Sequence, residues 1–235
     1  DQYVLKLIDR DRILALSPDA GREFSYMRDA AIGVATVRPV AEDVLILKPD
    51  LVVRAYGGGP NASAFFQKAG VPVVDIGWTP DIPAVMENTQ RIADELGEPA
   101  RGAAVNAEMQ ARLDRLQRRA QTRTALYMTP AGVTTGPGSL IHEMIETAGL
   151  TNMQTDAGWR SLPLETLAYE TPDVVAAAFF GARTNHPDAW SPMKHPVARD
   201  QLTKSEVVSL QGAWTSCSGW FLMDAVEALA EGMTE

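Results

Sequence analysis

Two glutamates stand at matching places in a segment that this chain carries twice. Glu42 and Glu165 each open a short helical run, and a Pro-Asp pair follows each of them seven residues later, at Pro49 and at Pro172. The residue before a proline disfavours the helical conformation, so each run must stop there, and an apolar strand follows at once. The helix dipole favours a carboxylate in a first turn, which explains either glutamate alone. Only their repetition favours a shared role.

Aromatic and cationic residues occur where predicted strands run into loops. Trp78 and Trp214 end two such strands, and Arg54 and Tyr56 end another, ahead of a glycine-rich loop that starts at Gly57. Ligands of open α/β sheets bind beyond the carboxyl ends of the strands, so we expect these residues to line a ligand site. The forked donors of an arginine could neutralise an anionic ligand there. For the tryptophans, packing in the core is the competing interpretation.

The sequence gives little support to a metal or catalytic site. His142 lies in a predicted helix, whereas His186 and His195 share a proline-rich loop whose spacing fixes no geometry, so a metal site there is the minor alternative. Tyr56 could ligate haem iron, without a clear second axial ligand. No Gly-x-Ser-x-Gly occurs, and the nucleophile-rich residues 215–219 have no fixed histidine partner. We predict no catalytic residue, metal or cofactor, and an enzyme stays the rival class.

The order of strands and helices indicates an α/β framework that is built twice. Predicted strands at residues 12–17, 51–56 and 73–76 alternate with helices, and the alternation restarts at residues 124–128. An uninterrupted helix is predicted between them over residues 99–121. Further predicted elements are helices over 62–69, 85–96 and 220–231 and a strand from 207 to 214.

The predicted fold class is therefore α/β, with two Rossmann-like lobes that each hold a mainly parallel sheet. One long interlobe helix joins the lobes, and the ligand cleft is expected between them. The predicted domains are an N-terminal lobe over residues 1–98, a backbone helix over residues 99–122 and a C-terminal lobe over residues 123–235.

Composition excludes several classes of partner. The formal charge of -9 repels nucleic acid phosphates, and no cluster of Lys and Arg offsets it. Cys217 is the single cysteine, which excludes an internal disulfide and a multi-cysteine metal site. No run approaches the roughly 18 apolar residues of a membrane-spanning helix. The chain opens within a predicted helix, from Asp1 to Ile8, so we expect a processed or trimmed N-terminus.

Taken in order, these segments resemble the class III substrate-binding proteins of ABC importers, which include receptors for cobalamin, ferric siderophores and haem. The resemblance covers nearly the whole length. It depends on the paired Glu and Pro-Asp segments, on residues 69–75, on Gly136 to Ser139 with residues 148–152, and on the single long helix. Members of the family usually begin with a strand ahead of the first helix, so we expect the N-terminal lobe to lack its first strand.

The resemblance implies a periplasmic, monomeric receptor that delivers a metal chelate to an ABC permease dimer at the inner membrane. It implies that Glu42 and Glu165 dock into arginine pockets of the permease and do not contact the ligand. Trp159 stands six residues before Glu165, the spacing of a ligand-contacting tryptophan in cobalamin-binding relatives. Cobalamin is therefore the first expected ligand, a ferric siderophore the second and haem the third. Core packing is the alternative for Trp159, and an α/β enzyme without a recognisable motif is the alternative function.

Overall fold

The computed structural model describes residues 1–55, 61–116, 123–178 and 191–232. The chain divides into two compact units. Unit 1 comprises Asp1–Trp78 and Met86–Ala107, and unit 2 comprises Thr79–Val85 and Glu108–Glu235. Within the described ranges, no helix combines the length and the apolar character that crossing a membrane requires.

The first half of the chain forms five helices and two short strands among its described residues. The helices are α1 (Gln2–Leu7), α2 (Ala41–Ile46), α3 (Ala62–Lys68), α4 (Ile82–Glu95) and α5 (Pro99–Arg115), and the strands are β1 (Val52–Arg54) and β2 (Val73–Asp75). β1 and β2 pair in parallel, with Val53 opposite Val74. The division between the two units falls within α4 and within α5.

The helix ends agree with the sequence prediction at two glycines. Gly70 follows α3 and Gly97 follows α4, and both have φ of 75°, the left-handed region that glycine enters without steric cost. The long helix predicted over residues 99–121 forms from Pro99 to Arg115. Leu116 is no longer helical, and the predicted last residues of the helix, 117–121, lie outside the described part of the chain.

The strand predicted over residues 12–17 does not form. Arg10–Arg12 make a 3-10 turn. The segment pairs only through one parallel bridge, between Leu16 and Thr36. The Ser17 hydroxyl accepts a hydrogen bond from the backbone N–H of Asp19 and so caps a second 3-10 turn that starts at Pro18. The extended segment is short because a 3-10 turn precedes it and another follows it.

Unit 2 contains a four-stranded parallel sheet and a two-stranded antiparallel sheet. Its strands are β3 (Thr124–Met128), β4 (Val133–Thr135), β5 (Thr151–Asn152), β6 (Trp159–Ser161), β7 (Val174–Ala177) and β8 (Glu206–Ser209). Its further helices are α6 (Leu140–Thr147), α7 (Leu164–Leu167), α8 (Pro196–Lys204), α9 (Gly212–Thr215) and α10 (Leu222–Glu231). The sheet order is β5-β3-β7-β8, and β4 pairs with β6. Parallel sheets joined through helices confirm the predicted α/β class.

β3 and β7 form the centre of the unit 2 core. All four residues of β7 are buried, as expected for a parallel strand that is covered on both faces. Leu126 and Met128 of β3 pack in one cluster with Leu162, Leu167 and Ala198. At the start of the two strands the Asp173 carboxylate accepts a hydrogen bond of 2.6 Å from the backbone N–H of Thr124. The aspartate of the second Pro-Asp pair therefore ties β7 to its neighbour.

A partly buried ion cluster joins α5 to α10 in unit 2. Nη2 of Arg112 lies 2.6 Å from Oδ1 of Asp224 and 2.6 Å from Oε2 of Glu227, and Nε lies 2.9 Å from Oε1 of Glu227. The hydrogen bonds from Arg112 hold the pKa of Glu227 below its ordinary value. One planar guanidinium thus satisfies two carboxylates, a geometry that a lysine could not reproduce.

Replacing Arg112 by methionine should destabilise unit 2 in a pH-dependent way. We expect Arg112→Met to lower the free energy of unfolding by about 2 kcal/mol at pH 7, because two carboxylates lose their charged donor. The depressed pKa of Glu227 means that this stabilisation is complete above its unfolded pKa, near 4.5, and is lost as the pH falls through the folded pKa. Urea unfolding curves at pH 7, 5 and 3.5 measure the difference.

The control for this variant is Arg115→Met, because Arg115 is exposed and lies 3.9 Å from Glu227. It should change stability by less than about 0.5 kcal/mol at every pH. If the free energies of unfolding of the wild type and of Arg112→Met differ by the same amount from pH 7 to pH 3.5, the assigned role of Glu227 is contradicted.

Candidate ligand-contact and docking residues

Trp159 is held by a buried aromatic residue and still faces solvent. It starts β6, where its backbone pairs with Thr135 of β4. Its ring meets that of Tyr127 edge to face, with centroids 6.1 Å apart and planes at 67°. Its exposed fraction is 53%. An indole ring that is fixed on one side and open on the other is suited to contact a flat ligand.

Tyr127 is the residue of this pair that the sequence analysis missed. It lies on β3, on the opposite face from Leu126 and Met128, because successive strand residues alternate. It is almost fully buried, and this burial raises the pKa of its phenol to about 12. The β3 strand was predicted correctly, but no local pattern indicates that a side chain of β6, distant in the sequence, packs against Tyr127.

The raised pKa predicts an alkaline stability loss that depends on Tyr127. A phenol with a folded pKa above its unfolded value of about 10 contributes stability that is complete below pH 10 and is lost as the pH rises toward 12. Between pH 9 and pH 11 the wild type should therefore lose about 1 kcal/mol more than Tyr127→Phe. Tyr169→Phe, at a fully solvated tyrosine, is the control and should follow the wild type in chemical unfolding. Equal losses of stability in the wild type and in Tyr127→Phe would contradict the role assigned to Tyr127.

Close backbone packing positions β6, the strand that carries Trp159. The backbone N–H of Gly136 donates to the carbonyl of Gly158 at 3.1 Å, and that of Gly158 donates to the carbonyl of Pro137 at 3.0 Å. A Cβ atom at position 136 would lie 2.1 Å from the backbone oxygen of Asp156. Glycine is therefore required at position 136, and the Gly136 to Ser139 segment fixes where β6 begins.

Two histidines have structural partners. The Asn152 side chain lies between the carbonyl of Thr135, at 3.0 Å, and Nδ1 of His142, at 3.1 Å. His195 caps α8 by accepting a hydrogen bond from the backbone N–H of Val197. His186 lies outside the described residues. Among the residues described, no group of three or more His, Cys, Asp and Glu side chains is arranged to hold a metal ion.

In unit 1, Trp78 and Arg54 lie in different surroundings. Trp78 does not end a strand, contrary to the prediction: β2 stops at Asp75, and Trp78 lies in the loop that follows with an exposed fraction of 79%. The Arg54 guanidinium, at the end of β1, is mostly buried, hydrogen-bonds the Ser63 hydroxyl and lies 3.5 Å from the Asp75 carboxylate. Its charge is thus already balanced within the unit, and its contact with an anionic ligand stays a prediction. Tyr56 and Gly57 lie outside the described residues.

Trp214 does not end a strand, contrary to the prediction. β8 stops at Ser209, opposite Ala177, where its partner β7 also stops. The chain then turns into α9, which contains Trp214 with its side chain half-buried. Within the described part of the chain, β7 offers no strand residue beyond Ala177 with which β8 could pair. Ligand contact by Trp214 stays a prediction.

The two glutamates occupy equivalent places in the two units. Glu42 lies in the first turn of α2 and Glu165 in the first turn of α7, and both side chains are exposed. Asp43, the neighbour of Glu42, pairs with Arg38 at 2.6 Å. Within the described part of the chain, neither Glu42 nor Glu165 has such a cationic partner. Each helix then leads through Pro-Asp into a parallel strand, β1 or β7.

Comparison with known families decides what kind of protein has this duplicated architecture. A model of the periplasmic binding protein family matches residues 19–178. The chain belongs to this family. Periplasmic binding proteins are binding proteins rather than enzymes, which agrees with the lack of a catalytic motif in the sequence. The class III type within it, predicted from the duplicated segments, is confirmed by similar solved structures.

Relatives and solved structures of other periplasmic binding proteins support the same fold. A cobalamin-binding protein of Halobacterium salinarum is 29% identical over 195 residues, which cover 70% of this chain and 53% of that protein. The chain thus spans about half the length of the curated relatives it matches.

Two solved haem-binding proteins align over most of their length. The periplasmic haem-binding protein RhuT from Roseiflexus sp. RS-1, in apo form, is 20% identical with a TM-score of 0.76, over 98% of this chain and 94% of that one. The periplasmic haem-binding protein BhuT, in complex with two haems, is 28% identical with a TM-score of 0.67. The match covers 87% of this chain and 85% of that one.

Proposed function

We propose that this chain is the substrate-binding component of an ABC importer. It captures a metal chelate outside the cytoplasmic membrane, in the periplasm, and delivers it as a monomer to a permease dimer. Membership in the periplasmic binding protein family is the observation that carries this proposal. The chelate leaves the protein chemically unaltered, because the chain acts as a receptor and not as an enzyme.

Cobalamin is the first proposed ligand. The relative from Halobacterium salinarum is named a cobalamin-binding protein. Trp159 stands at the spacing from Glu165 that the class III resemblance implies for a ligand-contacting tryptophan, and its half-exposed ring is fixed edge to face on Tyr127. A broad, flat corrin could lie against such a ring and gain the area that an aromatic contact offers. Trp78, with its exposed indole, is proposed as a second aromatic contact.

Haem is the second proposed ligand because of one specific observation. BhuT, 28% identical to this chain, was solved in complex with two haems. Haem is a flat macrocycle as well, so the exposed aromatic rings suit both ligands. A ferric siderophore is the third candidate. The predicted contact by Arg54 favours an anionic chelate, although its guanidinium is already paired with Asp75.

A panel of chelates tests the proposed function. Purified protein is mixed with cyanocobalamin, haemin or a ferric hydroxamate siderophore and passed through gel filtration, and absorption spectra are recorded before and after. We expect one chelate to elute with the protein in stoichiometric amount and to have an unchanged mass after release. The proposal fails if no chelate of the panel elutes with the protein, or if the bound chelate is converted to a product.

A further inference from the structure

Each unit exposes a large apolar side chain about one helical turn after its docking glutamate. In unit 1, Ile46 follows Glu42 by four residues and has an exposed fraction of 76%. In unit 2, Tyr169 follows Glu165 by four residues and has an exposed fraction of 92%. The two side chains occupy the same position in the two copies of the repeated segment.

Local geometry places each apolar residue near its glutamate. In α2, residues four apart lie on one face, so Ile46 is a neighbour of Glu42. After α7 the chain completes one more turn, in which the backbone N–H of Tyr169 donates to the carbonyl of Thr166 at 3.0 Å. Tyr169 is thus carried just past the helix that holds Glu165. Each unit presents a carboxylate and an apolar group close together.

A single exposed apolar side chain needs no explanation, because much of any protein surface is apolar. The repetition does need an explanation, since both copies of the segment place such a residue at the same spacing from the glutamate. In unit 1 the exposure also extends to Val40 and Leu47, which flank α2. The adjoining carboxylates have no cationic partner within the described residues, so each pair combines uncovered apolar surface with an uncompensated negative charge.

We infer that each unit docks on the permease through an acid and an apolar anchor together, Glu42 with Ile46 and Glu165 with Tyr169. The inference rests on the proposed function and specifies the chemistry of the partner. The matching surface is a guanidinium group bordered by apolar side chains, because such a surface would pair the carboxylate and cover the isoleucine or the tyrosine.

The two parts of each anchor have different kinetic effects. Charged groups steer the encounter and fix the orientation, so their loss slows association and weakens its dependence on salt. Apolar and aromatic groups in a desolvated contact act after the encounter, so their loss speeds dissociation. Binding kinetics at two salt concentrations therefore separate the contribution of Ile46 and Tyr169 from that of the glutamates.

The test uses the ABC importer of the source organism, identified by its transport of the chelate and purified in lipid nanodiscs. Association and dissociation of the wild type and of the double variant Ile46→Ser, Tyr169→Ser are recorded at low and at moderate salt. We expect the variant to dissociate about thirtyfold faster. Its association rate should stay within about threefold of the wild type, with an unchanged salt dependence. Both residues are exposed, so the variant should fold normally.

Exposed apolar residues elsewhere in each unit provide the matched control. Leu14→Ser in unit 1 and Val207→Ser in unit 2 should leave dissociation unchanged. If the wild type binds the importer and the double variant dissociates no faster than these controls, the inference is wrong while the proposed function stands. A parallel loss of chelate affinity in the double variant would also overturn it. If the wild type does not bind the importer at all, the proposed function fails, and the inference fails with it.

Discussion

Reversing the charge of both proposed docking glutamates should abolish chelate uptake without affecting chelate binding. In the double variant Glu42→Arg, Glu165→Arg, each unit would present a cation where the permease is expected to present one as well. The attraction is lost and a repulsion is added, so we expect docking to weaken by about a hundredfold or more, ~3 kcal/mol. Uptake of labelled chelate by cells that depend on this chain, with chelate affinity measured on the purified variant, checks the prediction.

Stability gives the control for the charge reversal. Both side chains are exposed, so the melting temperature should change little, and the free energy of unfolding by about 0.5 kcal/mol at most. If the glutamates serve the helix dipole alone, the double variant loses a little stability and transports normally. Asp43→Asn is a suitable companion variant, because Asp43 neighbours Glu42 but is paired with Arg38. Normal uptake by the double variant would contradict the docking role, and so would a parallel loss of chelate affinity.

Removing the indole of Trp159 should cost most of the chelate affinity. A tryptophan at the centre of a contact commonly contributes 2 kcal/mol or more, so Trp159→Ala should weaken binding by about thirtyfold. Binding of the chelate to the wild type should quench tryptophan fluorescence. The quenching should be reduced in Trp159→Ala and in Trp78→Ala. Titrations of each purified variant with cyanocobalamin or haemin, followed by fluorescence, measure both effects.

Trp159→Phe separates ligand contact from a structural role. A phenylalanine can keep an edge-to-face contact with Tyr127, which is worth about 0.5–1.5 kcal/mol. The phenylalanine variant should therefore fold like the wild type and keep part of the affinity. Unchanged affinity in Trp159→Ala would remove this residue from the site. A melting temperature that falls in step with affinity would make its role structural.

The sequence predicted the parts of the fold that depend on local chemistry. β3 has the predicted bounds, Thr124–Met128, and the glycines at 70 and 97 end their helices as expected. The repeated Glu and Pro-Asp segments correspond to helices that lead into parallel strands in both units. Proline, glycine and capping residues act over a few neighbouring positions, so a single sequence is enough to locate them.

Pairing between distant segments was the part that the sequence could not predict. The strand expected at residues 12–17 shrinks to one bridge because its flanks prefer 3-10 turns. The strand expected to reach Trp214 ends where its partner β7 ends. The contact between Tyr127 and Trp159 depends on the antiparallel pairing of β4 with β6, two strands that are not consecutive in the chain. The last two cases are decided by tertiary partners, which a local sequence pattern does not reveal.

The central claim, that the chain binds a metal chelate as a receptor, is tested most directly by a calorimetric titration with recovery of the ligand. Cyanocobalamin, then haemin, is titrated into purified protein, and the bound chelate is released and identified by mass spectrometry. We expect one of them to bind with a stoichiometry of one to two chelates per chain and to be recovered unaltered. An absence of saturable binding to either chelate and to a ferric siderophore, or recovery of a chemically altered ligand, would contradict the claim.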